Sequence, residues 1–236
     1  MTKYLNKRQL YSLIHKHKQQ LGLNCNDYGF NMIQLCRQKG ILLEQLPFKT
    51  KYLRGIASIG NEIEKDVILL NSNRVFIEQN FDCSHEFVHL CIHRNLDKKI
   101  FNCMDAVYVK QDKYIEWQAN EGAAELLVPY EELLPLIKNG PFNLNNPYEI
   151  KNLKNFVANI FNVTIKVIEF RLESLKYEIH QYLNDTPLNK IRILSQSQQI
   201  RLNIKVKSLN DIEREARDRI YYPIPETKFI NFGNIF

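Results

Sequence analysis

Two histidines four positions apart, with a glutamate directly after the first, make His85-Glu86-Phe87-Val88-His89 the stretch of this chain best suited to chemistry. On a helix each residue turns about 100°, so side chains at i and i+4 project together from one face. Two imidazole nitrogens so placed can serve one tetrahedral zinc. Glu86, one position on, reaches the water on the metal instead of the metal, where it can act as general base. A bare pentapeptide is not specific, so the helix that carries it and a third ligand must be found independently.

A helix over 74–95 places Glu78, Asp82, His85, Glu86, His89 and His93 in one stripe about 100° wide. Phe76, Ile77, Phe81, Phe87, Val88, Leu90, Cys91 and Ile92 take the remaining directions, so most of the helix is expected to be buried. A buried ionisable stripe without a metal would need many compensating partners. His93 lies about 12 Å along the axis from His85, too far for all three histidines to share one ion, and reads as a structural or cleft-lining residue. Asp82 and Glu78 read as solvated carboxylates that can tune the site electrostatically.

Three glutamates follow in 114–127, and a helical wheel separates them. Ile115, Ala119, Gly122, Ala123, Leu126 and Leu127 form an apolar, mostly small face, with Glu116 and Asn120 inside its edge. Glu121 and Glu125 fall opposite with Gln118 and are expected on a solvated face, so Glu116 is the third ligand. Gly122 costs a helix about 1 kcal/mol relative to alanine, which points to close helix packing there. Asn120, one turn after Glu116, is placed to accept the ring N–H of a ligating histidine. Tyr52, Tyr108 and Tyr114 are the candidate donors to the oxyanion formed during peptide hydrolysis.

The 236 residues suffice for one well-cored domain with an appendage, and 44% hydrophobic with 25% charged content is that of an ordinary globular chain. No apolar run approaches the length of a membrane span, and the start has no apolar signal core, so a cytoplasmic protein with no membrane partner is expected. Five cysteines without a Cys-x-x-Cys pair fit a reducing compartment and exclude a cysteine-rich zinc site. The net charge of +6 permits contact with nucleic acid without demanding it.

A helix over 4–21 buries Leu10, Leu13, Ile14, His17 and Leu21, leaving Lys3, Lys7, Arg8, Lys16 and Lys18 on a basic, solvated face. A second helix, 27–39, is expected from an Asp27 cap to a stop at Gly40. Strands follow over 41–46, 52–59 and 66–71, of which 67–71 is either the edge strand for an extended peptide or a strand that roofs the core. The polar connection 95–113 holds a short strand, 106–110. Helices over 130–138, 148–160 and 164–182 come next, the last exposing Lys166, Arg171 and Lys176 alongside Glu169, Glu173 and Glu178. The final pair resembles a helix-turn-helix, but its mixed charge makes a poor DNA reader. Strands are expected at 191–194 and 200–206 and a helix at 210–221.

With the pentapeptide and Glu116-x-x-Ala119-Asn120-x-x-Ala123-Ala124-x-Leu126-Leu127-x-Pro129 both in view, the chain resembles the ImmA/IrrE family of metallopeptidases. The similarity covers roughly 27–175 and includes Gly40-Ile41, Leu53-x-Gly55, Leu70-Asn71, Phe161-x-Val163-Thr164 and Arg171-Leu172. The resemblance implies one zinc per chain on His85, His89 and Glu116, with Glu86 as catalytic base. Phe87-Val88 stands where the family usually has Leu-Gly, which is expected to alter helix packing and leave the catalytic groups in place. The elements, with the Asn139-Gly140-Pro141 break as boundary, add up to an α+β fold: a mostly helical zincin-like domain with a three-stranded sheet over 1–140, a helix-turn-helix-like subdomain over 141–183 and an appendage of unassigned role over 184–236.

Better-known members of that family cut a DNA-binding repressor, releasing genes of mobile elements or stress responses. No repressor-like domain precedes the catalytic region in this sequence, so a separate helix-turn-helix repressor is the expected substrate. The competing reading is a regulatory protein that binds a partner or DNA through the same fold without cleaving it.

Overall fold

The computed structural model describes residues 4–24, 26–50, 52–104 and 112–221. Asn6 opens helix α1 (Lys7–Gln20) with a reciprocal cap, accepting from the Gln9 amide while the Gln9 side chain accepts from its own. Leu10, Ile14 and Leu21 are buried as the periodicity requires, while Leu13 and His17, on the same spacing, are only partly covered. Lys7 and Lys18, expected on the solvated face, are buried too. Lys7 Nζ donates to Ser174 O at 2.5 Å and to Glu178 at 3.1 Å, and Lys18 lies over the Phe30 ring. Helix α2 (Met32–Gln38) starts five residues later than expected, because Asn31 supplies the cap to the Gln34 amide while Asp27 accepts from the Asn24 amide in the preceding turn. It ends before Gly40, whose φ of +82° is the left-handed conformation that favours glycine at a helix stop.

Strands β1 (Leu42–Leu46), β2 (Leu53–Ser58) and β3 (Val67–Asn71) precede helix α3 (Phe76–Ile92), and β4 (Ile100–Met104) follows it. The sheet runs β1-β3-β2-β4, with β1 parallel to β3 and the other pairs antiparallel. The fold is α+β as expected, with a fourth strand added from the segment read as a polar connection. The strand expected at 106–110 and Tyr108 lie outside the described residues. The candidate edge strand is central: β3 is paired on both sides, with Ile68 and Leu70 fully buried. Strand order is decided by long-range pairing, which local alternation does not encode. Among the described residues the edges are β1 and β4.

Helix α4 (Lys113–Leu127) is capped by Asp112, which accepts from the Tyr114 and Ile115 amides. Helices α5 (Tyr130–Asn139), α6 (Pro147–Phe161), α7 (Ile165–Ser174), α8 (Lys176–Leu183), α9 (Gln196–Arg201) and α10 (Leu209–Tyr221) complete the chain. Asn162, at φ 51° and ψ 50°, turns the chain between α6 and α7, and Thr164 caps α7. The single helix expected over 164–182 is broken at buried Leu175. No strand forms at 191–194 or 200–206: Ile191 and Ile193 pack into the helical core, and a Ser195/Gln198 capping box starts α9 instead. That Ser-x-x-Gln was a helix-start signal in plain view.

One apolar cluster fills the space between the sheet, α1, α2, α3 and α4; another unites the end of α4 with α5 to α8 and α10. Arg171 ties α7 to the elements beneath it. Its side chain is fully buried and donates to Val128 O (2.8 Å), the Tyr11 hydroxyl (2.5 Å), Glu121 (3.1 Å) and Glu125. Glu121 and Glu125 are therefore not on a solvated face, being 1% and 0% exposed, and neither Arg171 nor Glu178 faces water. A wheel separates the directions around a helix but cannot tell which of them a second layer will cover.

Candidate functional site

Close passage of α4 over α3 builds the site. A Cβ on Gly122 would lie 3.0 Å from Ile14 Cδ1 and 3.1 and 3.2 Å from the Val88 methyls, so the absence of a side chain there sets the helix separation. Val88 is accommodated by that gap. The approach carries Glu116 to the histidines. His85 Nε2 lies 3.1 Å from His89 Nε2 and 3.4 Å from Glu116 Oε2, and His89 Nε2 lies 3.9 Å from Glu116 Oε1. Donors bound tetrahedrally at the usual zinc distances stand about 3.3 Å apart, so this spacing fits one small cation.

Electrostatics point the same way. Glu86 is fully buried, and neither of its carboxylate oxygens makes a hydrogen bond of ordinary geometry among the described residues, the Cys103 main chain giving its charged form only minor support. Burial pushes its carboxyl well above the ordinary range, with Glu116 and Asp82 adding repulsion and Arg54 opposing them. Burial, with His85 and His93 nearby, holds His89 well below the ordinary imidazole value and hence neutral, the form that can ligate. Two nitrogens and a carboxylate gathered in a buried place, beside an orphaned acid, suit a divalent metal ion.

Around these residues, His85 Nδ1 meets Asn120 Oδ1 at 3.0 Å, and His89 Nδ1 meets His93 Nδ1 at 2.9 Å. Asp82 is buried between Arg74 (2.7 Å) and Arg54 (3.5 Å), contrary to its reading as a solvated group, while Glu78 is half-buried near Arg74. Burial raises the Asp82 carboxyl against the pull of both arginines. Tyr114 spends its one proton on Leu5 O (2.7 Å), and Tyr52 is exposed just before β2.

Three neighbours of Glu86 were not singled out for the site from the sequence. A Cβ on Gly55 would fall 2.6 Å from Glu86 Oε1. Opposite Gly55 in the β2/β4 register stands Cys103, whose donor atom shares a cluster within 4.8 Å with those of His85 and Glu86. Arg54 Nη2 donates to Cys103 Sγ at 2.7 Å. Only the resemblance singled out Gly55; the other two depend on a strand pairing across 49 residues, for which there is no local signal. Arg54, Arg74, Phe81 and Asp82 also line, with Lys166 and Phe170 of α7, a groove of about 480 Å³ that begins one turn before His85.

An α+β chain that brings a His-Glu-x-x-His helix and a glutamate of the next helix to one buried point has the build of a metallopeptidase. Residues 36–173, more than half the chain, match the IrrE N-terminal-like domain of the peptidase M78 family, and the chain belongs to that family. A comparison with curated proteins finds no match.

Proposed function

We propose that the protein is a zinc-dependent endopeptidase that cleaves a DNA-binding, helix-turn-helix transcriptional repressor in the cytoplasm, relieving repression. The observation that carries the peptidase reading is Glu86: a fully buried carboxylate beside three donors spaced for one cation. The repressor as substrate is supported by the family resemblance.

His85, His89 and Glu116 would hold the zinc. When bound, zinc supplies Lewis acidity, easing the ionisation of water and polarising a peptide carbonyl. Glu86 takes one proton from the attacking water as its oxygen adds to the carbonyl carbon. It passes that proton to the departing nitrogen as the C–N bond breaks, leaving an amine and a carboxylic acid, and the acid then gives up the water's second proton to the amine or to solvent. β4, an edge of the sheet among the described residues, brings Cys103 beside Glu86, and an edge strand is what an extended substrate can pair with. The groove over Phe81 and Phe170 offers room for flanking side chains.

Direct reading of DNA has less support, because Lys7, Lys18 and Arg171 are buried and cannot contribute to a basic face. The decisive comparison incubates the candidate repressor with wild-type protein and with Glu86→Gln. Cleavage by the first alone is expected; equal cutting by both would end the proposal.

A further inference from the structure

A chain of hydrogen bonds runs from the main chain near the N-terminus to His89, and its direction is fixed at one end. The Leu5 carbonyl can only accept and the Leu5 amide can only donate. Tyr114 Oη bonds to both, at 2.7 and 2.6 Å, so its proton points at the carbonyl and only lone pairs remain for other partners. Gln118, 2.9 Å away, must therefore present its NH₂ to Tyr114 and its Oε1 to His93. His93 Nε2 lies 2.8 Å from that oxygen and must carry a hydrogen. In a neutral ring His93 Nδ1 is then bare, so the hydrogen in its 2.9 Å contact with His89 belongs to His89 Nδ1. What remains is His89 Nε2 as a lone pair, facing His85 and Glu116.

We propose that Gln118, oriented by Tyr114 and the Leu5 main chain, is a positioning residue that acts through His93 to fix His89 as its Nδ1–H tautomer, the one able to ligate through Nε2. The proposal rests on the metallopeptidase reading for its purpose, but the tautomer is a property of the chain itself. It gives a task to three groups the catalytic steps leave unused: a histidine outside the ligand set, a buried glutamine and a tyrosine whose hydroxyl is fully engaged. The Tyr4 ring, stacked on Tyr114 at 5.2 Å, helps hold the outer end in place. Reversing any one amide or ring would put two hydrogens or two lone pairs face to face somewhere along the chain, or put an N–H where the cation belongs.

The test uses the full-length protein labelled with ¹⁵N-histidine, in wild-type, Gln118→Leu and Tyr114→Phe forms. Nitrogen shifts of the metal-free protein report the tautomer, and chelator competition reports the zinc dissociation constant. Wild type is expected to show a protonated Nδ1 and bare Nε2 at His89. Gln118→Leu frees His93 to turn its hydrogen toward His89, giving a mixture of tautomers and a zinc dissociation constant about 10- to 100-fold higher. Tyr114→Phe, which leaves Gln118 free to flip, should move both readouts the same way by a smaller factor and covers the case in which Gln118→Leu folds poorly. An unchanged His89 tautomer and unchanged zinc affinity in both folded variants would overturn the proposal while leaving the metallopeptidase reading intact. A wild type that takes up no zinc would remove that reading, and the metal-free nitrogen shifts would then decide the tautomer claim alone.

Discussion

Replacing Gly55 with alanine should disable the site while sparing the fold. The added Cβ would fall 2.6 Å from Glu86 Oε1, 3.0 Å from its Cγ and 3.2 Å from its Cδ, against the 3.4 Å at which ordinary contact begins. The carboxylate must therefore retreat by about 0.8 Å. That movement is cheap for folding, because the atom most obstructed ends a side chain with no hydrogen bond of ordinary geometry to lose among the described residues. It is expensive for chemistry: a displacement of about 1 Å at a reacting group costs on the order of 10²-fold, or about 2.7 kcal/mol of barrier. The assay is cleavage of the repressor, or of a peptide library followed by mass spectrometry, at matched zinc content, with thermal unfolding measured in parallel. The expected result is kcat/KM lower by about 10²-fold and a melting temperature within a few degrees of wild type. Full activity would mean that Glu86 does not act from the position the structure gives it. A collapse in stability would mean that Gly55 serves the backbone instead.

Gly122→Ala should push α4 away from Ile14 and Val88, costing about 1–3 kcal/mol in urea unfolding and weakening zinc binding, and Val88→Ala should return part of both. Arg171→Met should cost about 3–5 kcal/mol, since it removes the guanidinium from two buried acids and leaves Glu121 only Tyr11 and Lys7, and Glu125 only His15, as partners; a loss under about 1 kcal/mol would contradict their pairing. His15 is raised above the ordinary 6.5 chiefly by its hydrogen bond to Glu125. Because its folded value lies above its unfolded one, the stability it contributes is fully present below about pH 6.5 and is lost as the pH climbs through the raised value. The stability difference between wild type and His15→Gln should shrink across that window, and a difference independent of pH would refute the assignment.

The contrast between what was legible in the sequence and what was not has a physical cause. The meeting of His85, His89 and Glu116, the nearness of Asn120 to His85 and the tight crossing at Gly122 all follow from angles around two helices and the size of the residues between them. Such relations are local, and a wheel captures them. The place of β3 in the middle of the sheet, and of Cys103 opposite Gly55, depends on which strands pair across tens of residues. Glu121 and Glu125 were misplaced for a related reason: the face opposite the small residues of α4 is covered by α1 and α7, whose Lys7, Tyr11, His15 and Arg171 supply the partners. Charged residues at helical spacing look the same whether water or a second buried layer receives them. The tail misled through alternation, because the apolar residues at 191 and 193 serve a helical core without joining a ladder.

The proposed activity depends most on three side chains holding a single ion while Glu86 stays off it. Elemental analysis of purified wild type, Glu86→Gln and Glu116→Ala proteins, prepared in parallel with zinc and dialysed, tests that directly. One zinc per chain in the first two and little in the third is the expected result. No zinc in wild type, or as much in Glu116→Ala as in wild type, would contradict it.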